Sequence, residues 1–225
     1  MTTDEIINFL KKNSDQKNRE GMARFGINAS NAFGISMPLL RELGKKIGKD
    51  HKLAVELWKT RYHEARILSS LIADPALTTS ALMNKWVKDF NSWDLCDQCC
   101  MNLFAKTPYA MEKIIEWNDS PDEFVKRASF SLMATCAVHR KDWSDGDFEN
   151  FFPLIEKHAA DDRNFVKKAV NWALRQIGKR NRRLNKSAFR FSEKLLKIDS
   201  KSAKWIASDA IKELTNSKIQ SRLKS

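Results

Sequence analysis

Val125-Lys126-Arg127-Ala128 has two counterparts elsewhere in the chain, Glu64-Ala65-Arg66-Ile67 and Val166-Lys167-Lys168-Ala169. Each sits early in the second member of a pair of helical segments, with a cation set among apolar residues. One such pair cannot bury its apolar face alone, and stacking pair on pair makes a continuous core. The three occurrences begin at residues 64, 125 and 166, a spacing of roughly 40–60 residues that favours degenerate HEAT-like units over a strict tetratricopeptide period. The predicted fold is therefore all-α, an α-solenoid of HEAT-like helical repeats. A compact irregular helical domain is the alternative at this level.

The rest of the chain agrees with an all-helical reading, because no segment alternates with the two-residue period of a strand. Thr2-x-x-Glu5 opens a first helix as a capping box, and a charged second helix runs from about Asp15 to Gly26. The Gly- and Asn-containing stretch from Gly26 to Ile35 is the irregular region. Ser36, Thr78, Asn91, Ser120 and Ser144 are read as N-caps of later helices, and Thr107-Pro108 and Ser120-Pro121 place proline at a helix start. Further helices are expected over 53–59, 62–73, 165–178, 186–197 and 202–214. No linker is visible, so residues 1–225 read as a single domain.

Four of the 225 residues are cysteine, 42% are hydrophobic, and the net charge is +12. That hydrophobic fraction suffices for a core, and the cationic excess points to a polyanionic partner such as nucleic acid. No apolar run approaches a membrane-spanning length. The start Met1-Thr2-Thr3-Asp4-Glu5 lacks the basic and apolar regions of an export signal, so a reduced, cytoplasmic protein is expected. Cys96, Cys99 and Cys100 lie close together, but on a helix adjacent side chains diverge by about 100°. They read as buried hydrophobes, and no metal is expected.

Asn91-Ser92-Trp93-Asp94-Leu95-Cys96-Asp97 is the stretch richest in chemistry. Asp94 has a local role near the positive end of the helix dipole. Asp97 does not. Helical phase puts Trp93, Cys96, Cys100, Leu103 and Phe104 on one apolar stripe with Asp97 at its edge, one turn beyond Trp93. A carboxylate there needs a cationic partner, either a lysine or arginine of a neighbouring helix or a positively charged ligand.

The basic charge concentrates between Arg163 and Arg190, where Arg163, Lys167, Lys168, Arg175, Lys179, Arg180, Arg182, Arg183, Lys186 and Arg190 occur without an intervening acid. Within this run Phe165, Val166, Ala169, Val170, Ala173 and Ile177 form the expected buried face. Lys168, Trp172, Arg175 and Lys179 form a ridge opposite. A tryptophan among cations fits phosphate binding with an aromatic contact, or a half-buried packing residue among solvated lysines. Arg127, with small neighbours Ser131 and Ala134, fits either an anion contact or an inter-repeat bridge. No Walker, dinucleotide or nucleophile-elbow motif occurs.

Taken in order, Gly34-Ile35-Ser36-Met37-Pro38, Ser92-Trp93-Asp94-Leu95-Cys96-Asp97, Lys126-Arg127-Ala128 and Asn171-Trp172-Ala173-Leu174-Arg175 resemble the AlkD-like DNA alkylation repair glycosylases over approximately residues 20 to 215. The resemblance implies a curved solenoid whose concave basic face holds duplex DNA, and a monofunctional glycosylase that excises N3- and N7-alkylated purines without cofactor or metal. It also implies catalytic roles for Trp93, Asp97, Arg127 and Trp172. Lys168, Arg175, Lys179, Arg180, Arg182 and Arg183 are then expected to contact DNA, and the chain is read as a monomer. The family commonly has an N-terminal aromatic, often tyrosine, whereas the tyrosines here are Tyr62 and Tyr109. Phe25 or Phe33 is the expected substitute. A non-catalytic scaffold for nucleic acid or an acidic protein is the competing reading.

Overall fold

The computed structural model describes residues 1–223, and all regular structure among them is helical. The chain forms two compact units, residues 1–109 and 110–225. The chain passes between them at Tyr109-Ala110.

The first unit contains α1 (Thr3–Lys12), α2 (Gln16–Arg24), α3 (Met37–Ile47), α4 (His51–Lys59), α5 (His63–Ile72), α6 (Ser80–Val87), α7 (Trp93–Asn102) and a 3-10 turn, Phe104–Lys106. The Thr2/Glu5 capping box forms as expected, with both reciprocal hydrogen bonds. α5 is the central helix and packs against α3, α4 and α7. Buried Leu40, Leu57, Leu68 and Cys96, one from each of these four helices, supply its core. The caps of α6 and α7 fall one residue later than the sequence indicated, at Thr79 and Ser92. Thr79 accepts from the Leu82 N–H, which is the bond an N-cap side chain exists to make.

The second unit contains α8 (Ala110–Asn118), α9 (Glu123–His139), α10 (Asp145–Glu149), α11 (Phe152–His158), α12 (Asn164–Gly178), α13 (Arg182–Leu195), α14 (Lys201–Leu214) and α15 (Ser217–Gln220). α12 is central here, packed on α9, α13 and α14, and α8 pairs with α9. Ser120 is not the cap of α9. Its hydroxyl accepts from the Asp122 N–H, and Asp122 is the N-cap. α13 starts at Arg182, earlier than its apolar pattern implied, because the Asn181 side chain accepts from the Leu184 N–H.

Candidate functional site

In the first unit, the α7 stripe forms as its spacing predicts. Cys96, Cys100, Leu103 and Phe104 are fully buried, while Trp93 and Asp97 are half-buried at its edge. The Trp93 indole Nε1 donates to the carbonyl oxygen of Phe25 at 2.9 Å, which fixes the indole plane from the end of α2. Burial pushes the Cys100 thiol well up, aided by Cys96 and by the negative charge of Asp97. Burial pushes the Cys99 thiol up as well, so Cys99 and Cys100 are inert packing groups.

Asp94 does more than support the helix dipole. Its carboxylate accepts from Ser92 Oγ at 2.7 Å and pairs with His63 Nε2 at 2.8 Å, bridging the first turns of α7 and α5. Burial raises the Asp94 carboxyl, but the His63 hydrogen bond and charge, with Ser92, outweigh it and leave the group below its ordinary value.

Glu64, only 1% exposed, is the other buried acid of this region. No cationic side chain among the described residues forms a salt bridge with it. Its carboxylate instead accepts from the consecutive backbone N–H groups of Phe33 (2.9 Å), Gly34 (2.6 Å) and Ile35 (3.1 Å). This ties the irregular loop to the start of α5. Gly34 is required there, since its φ is +80° and an added Cβ would lie 2.2 Å from the Asp15 carbonyl oxygen. Phe33 packs on Tyr62 with ring centroids 4.6 Å apart, whereas Phe25 is 71% exposed. Of the two phenylalanines expected near the N-terminus, Phe25 is therefore the one beside Trp93 and open to a ligand.

In the second unit, Arg127 is 5% exposed and donates from Nη1 to the Phe165 carbonyl oxygen at 2.6 Å, joining α9 to α12. The expected buried face of α12 holds except at Phe165, which is half-buried and packs against Phe124 at 5.5 Å. Trp172 is half-buried. With the Gln176 amide oxygen turned towards them, it accepts from Trp172 Nε1 at 3.1 Å and Lys179 Nζ at 3.3 Å.

The cations divide sharply by environment. Lys168, Arg182, Lys186 and Arg190 are exposed. Arg175 and Lys179 both pair with Glu213 of α14, and Arg175 also lies 3.4 Å from Asp209. Burial raises the Glu213 carboxyl, but Lys179 and Arg175 overcome it and hold the group below its usual range. Arg183 is 3.1 Å from Glu149. Arg180 has a different employment: it donates to the carbonyls of Ala137 (2.9 Å), Arg140 (2.9 Å) and Trp143 (3.1 Å), and its guanidinium lies 4.5 Å from the centre of the Phe148 ring. It ties the end of α9 to the following loop. Arg182, Lys186 and Arg190 stand at i, i+4 and i+8 on α13, so they share one exposed face of that helix.

Helices packed pairwise around a central member in each unit, with buried cross-links between successive pairs, define a protein of the HEAT-like repeat class. A solved structure supports that class, matching with a TM-score of 0.79 at 19% identity over 93% of this chain and 94% of the other. It is described as "a new family of proteins related to the HEAT-like repeat DNA glycosylases with affinity for branched DNA structures". A designed armadillo repeat protein matches at a TM-score of 0.36 and 14% identity, over 78% of this chain and 92% of that one. No curated protein sequence matches. The profile of one family, DNA alkylation repair enzyme, matches residues 6–214, and the chain belongs to that family. No helix among the described residues is long and apolar enough to cross a membrane.

Proposed function

We propose that the protein is a monofunctional DNA glycosylase that releases cationic N3- and N7-alkylated purines from duplex DNA. The observation that carries this reading is the pair Trp93 and Asp97. They are the two side chains of an otherwise buried α7 stripe that remain half-exposed, one helical turn apart, within a chain of the DNA alkylation repair enzyme family.

Alkylation at N3 or N7 makes the purine cationic and hence a good leaving group that needs no general acid. Departure of the base leaves an oxocarbenium-like sugar, which a carboxylate stabilises electrostatically. Asp97 takes that role and orients the attacking water. The indole of Trp93, held in plane by Phe25, offers an aromatic face to the cation. In the second unit, Trp172 contacts the DNA backbone, and Lys168 and Arg182 meet phosphates. Arg127 acts as a positioning residue, since its guanidinium is largely buried against α12. Arg180 serves the fold in this reading, since three of its N–H groups donate to backbone carbonyls.

The pairing of Arg175 and Lys179 with Glu213 does not remove them from consideration. These groups are 23–29% exposed at their side chains, so a phosphate can compete with Glu213 for them from solvent. A second reading, structure-selective DNA binding without excision, draws support from the branched-DNA affinity of the 19%-identical neighbour.

Incubation with methylated duplex DNA, followed by quantification of released 7-methylguanine and 3-methyladenine, separates the two. Release that is abolished in Asp97→Asn supports the glycosylase. Retained DNA binding with no release supports the second reading.

A further inference from the structure

A cavity of about 380 Å³ lies within the second unit, where the ends of α9 and α12 meet α15 and the residues after it. Four cations line it, Lys141, Lys179, Arg180 and Arg222, and no acid does. Val138, Ile219 and Leu223 give it an apolar floor. A cleft lined by charge of one sign concentrates its field and draws in counter-ions.

The surrounding fold maintains that charge. An added Cβ at Gly178 would lie 2.6 Å from Leu214 Cδ2 and 2.9 Å from Ala188 Cβ. Glycine therefore lets the last residue of α14 close against α12, which brings α15 over the end of that helix. Helix C-termini carry partial negative charge, which repels anions. Arg180 covers that charge at the end of α9 by donating to the carbonyls of Ala137, Arg140 and Trp143. The acids nearby are engaged outside the cavity lining. Asp142 pairs with Arg140 at 2.7 Å, and Glu213 pairs with Arg175 and Lys179. Lys141 and Arg222 are exposed, and among the described residues neither side chain forms a salt bridge or a hydrogen bond. Two cations without partners thus stand beside two that are held in place by the fold.

We infer that this cavity binds a phosphomonoester. Lys141 and Arg222 meet its oxygens, Lys179 and Arg180 supply fixed positive charge, and the apolar floor takes the group that carries the phosphate. A phosphomonoester has about −1.5 to −2 charges at pH 7 and three acceptor oxygens, more on both counts than a phosphodiester. It is also attached through one oxygen, so it enters a walled cavity more readily than a phosphate joined to sugars on both sides. Two sources present this group: the phosphorylated end of a DNA strand, and free phosphate. The inference depends neither on excision nor on the duplex contacts proposed for α12.

The test uses the full chain in phosphate-free buffer. Its ligands are two undamaged duplexes of one sequence, with and without 5′-phosphates, and inorganic phosphate. Anisotropy reads the duplexes and calorimetry reads inorganic phosphate. Charge-assisted hydrogen bonds to the terminal phosphate predict about tenfold tighter binding of the phosphorylated duplex by the wild type. Lys141→Gln/Arg222→Gln changes two exposed residues, so its melting temperature should match the wild type, and it should bind the two duplexes equally. Lys186→Gln/Arg190→Gln removes the same charge from the exposed face of α13. It should weaken both duplexes alike and keep the tenfold preference.

A preference lost only in the cavity variant supports a strand end as the ligand. Inorganic phosphate bound by the wild type and not by the cavity variant, with no duplex preference, supports free phosphate. Equal duplex affinities with no phosphate binding overturn the inference. A preference that survives in the cavity variant, or falls as far in the α13 variant, overturns it too. Excision of alkylated purines alongside such a result would leave the proposed function standing. Phosphate binding without binding of either duplex would sustain the cavity and remove DNA as the ligand.

Discussion

The indole Nε1 of Trp93 donates to the carbonyl oxygen of Phe25, 68 residues earlier in the chain. One hydrogen bond thus couples the first residue of α7 to the C-cap of α2. Because α2 buries none of its own residues, it owes its position to bonds of this kind and to the loop that follows it. The side chain proposed to face a cationic lesion is held by a part of the fold with little hydrophobic anchoring.

Glu64 is the anchor of that loop, and its removal should be costly. Each buried donor left unpaired costs about 1–3 kcal/mol, and Glu64→Ala orphans the N–H groups of Phe33, Gly34 and Ile35. Chemical denaturation should show Glu64→Ala destabilised by at least ~2–3 kcal/mol. Protease cleavage should move to the loop between Gly26 and Ile35. A variant as stable as wild type would mean that water replaces the carboxylate.

Asp94 makes stability depend on pH. Its carboxyl lies below the ordinary value in the folded protein, chiefly because His63 and Ser92 outweigh the effect of burial. A depressed carboxylate contributes stability that is fully present above its unfolded pKa of about 3.9. That contribution is lost as pH falls through the lower, folded value. Between wild type and Asp94→Asn, the stability difference should shrink below about pH 4 by this argument. A difference that persists unchanged in acid would place the effect in packing.

Helix positions and apolar stripes were legible because they depend on local periodicity. The core faces of α7 and α12, the Thr2 and Ser144 caps and the loop after α2 all follow from the order of residue types. Polar partners were not. His63–Asp94, Glu64 with its three N–H groups, and Arg175 and Lys179 with Glu213 join residues about 30 to 38 positions apart. Nothing in a helical wheel indicates which distant element supplies the counter-charge. Phe165 shows the converse: its phase is that of a core residue, yet it is half-buried and packs against Phe124.

If the basic run of the second unit binds DNA, the response to salt should be steep. Neutralising ~6–10 phosphates predicts a loss of about 10³–10⁵ in affinity between 50 and 200 mM salt. Exposed Lys168 and Arg182 should weaken binding when reversed to Glu, at every sequence alike. Glu213→Gln should strengthen it, because Arg175 and Lys179 are then released. Arg180→Ala should instead lower the melting temperature, through loss of three carbonyl contacts. A flat salt titration would remove phosphates as the partner of this charge.

Trp172 and Phe130 should separate function from folding. Phe130 is fully buried, so Phe130→Ala is expected to cost about 3–5 kcal/mol. Trp172 is half-buried with its indole N–H satisfied by Gln176. Trp172→Ala should therefore cost less in a thermal melt and more in excision. Equal destabilisation of the two would make Trp172 a packing residue.

The last comparison sets Asp97 against Asp94. Both lie on α7, one helical turn apart, and both lose one negative charge on substitution by Asn. Their surroundings differ. Asp94 is satisfied by His63 and Ser92, so Asp94→Asn should lower stability through a weakened cross-link between α7 and α5 and leave the intrinsic excision rate within a few-fold of wild type. Asp97 stands at the half-exposed edge beside the Trp93 turn. Removing a group that stabilises transition-state charge typically costs about 10²–10³ in rate, and Asp97→Asn should show that loss for 7-methylguanine release at unchanged or slightly raised DNA affinity. Single-turnover rates at saturating enzyme, measured well below the melting temperature of either variant, keep stability out of the comparison. A wild-type rate in Asp97→Asn would overturn the catalytic assignment. A large loss in Asp94→Asn instead would move the chemistry one turn back along α7, to the His63–Asp94 pair.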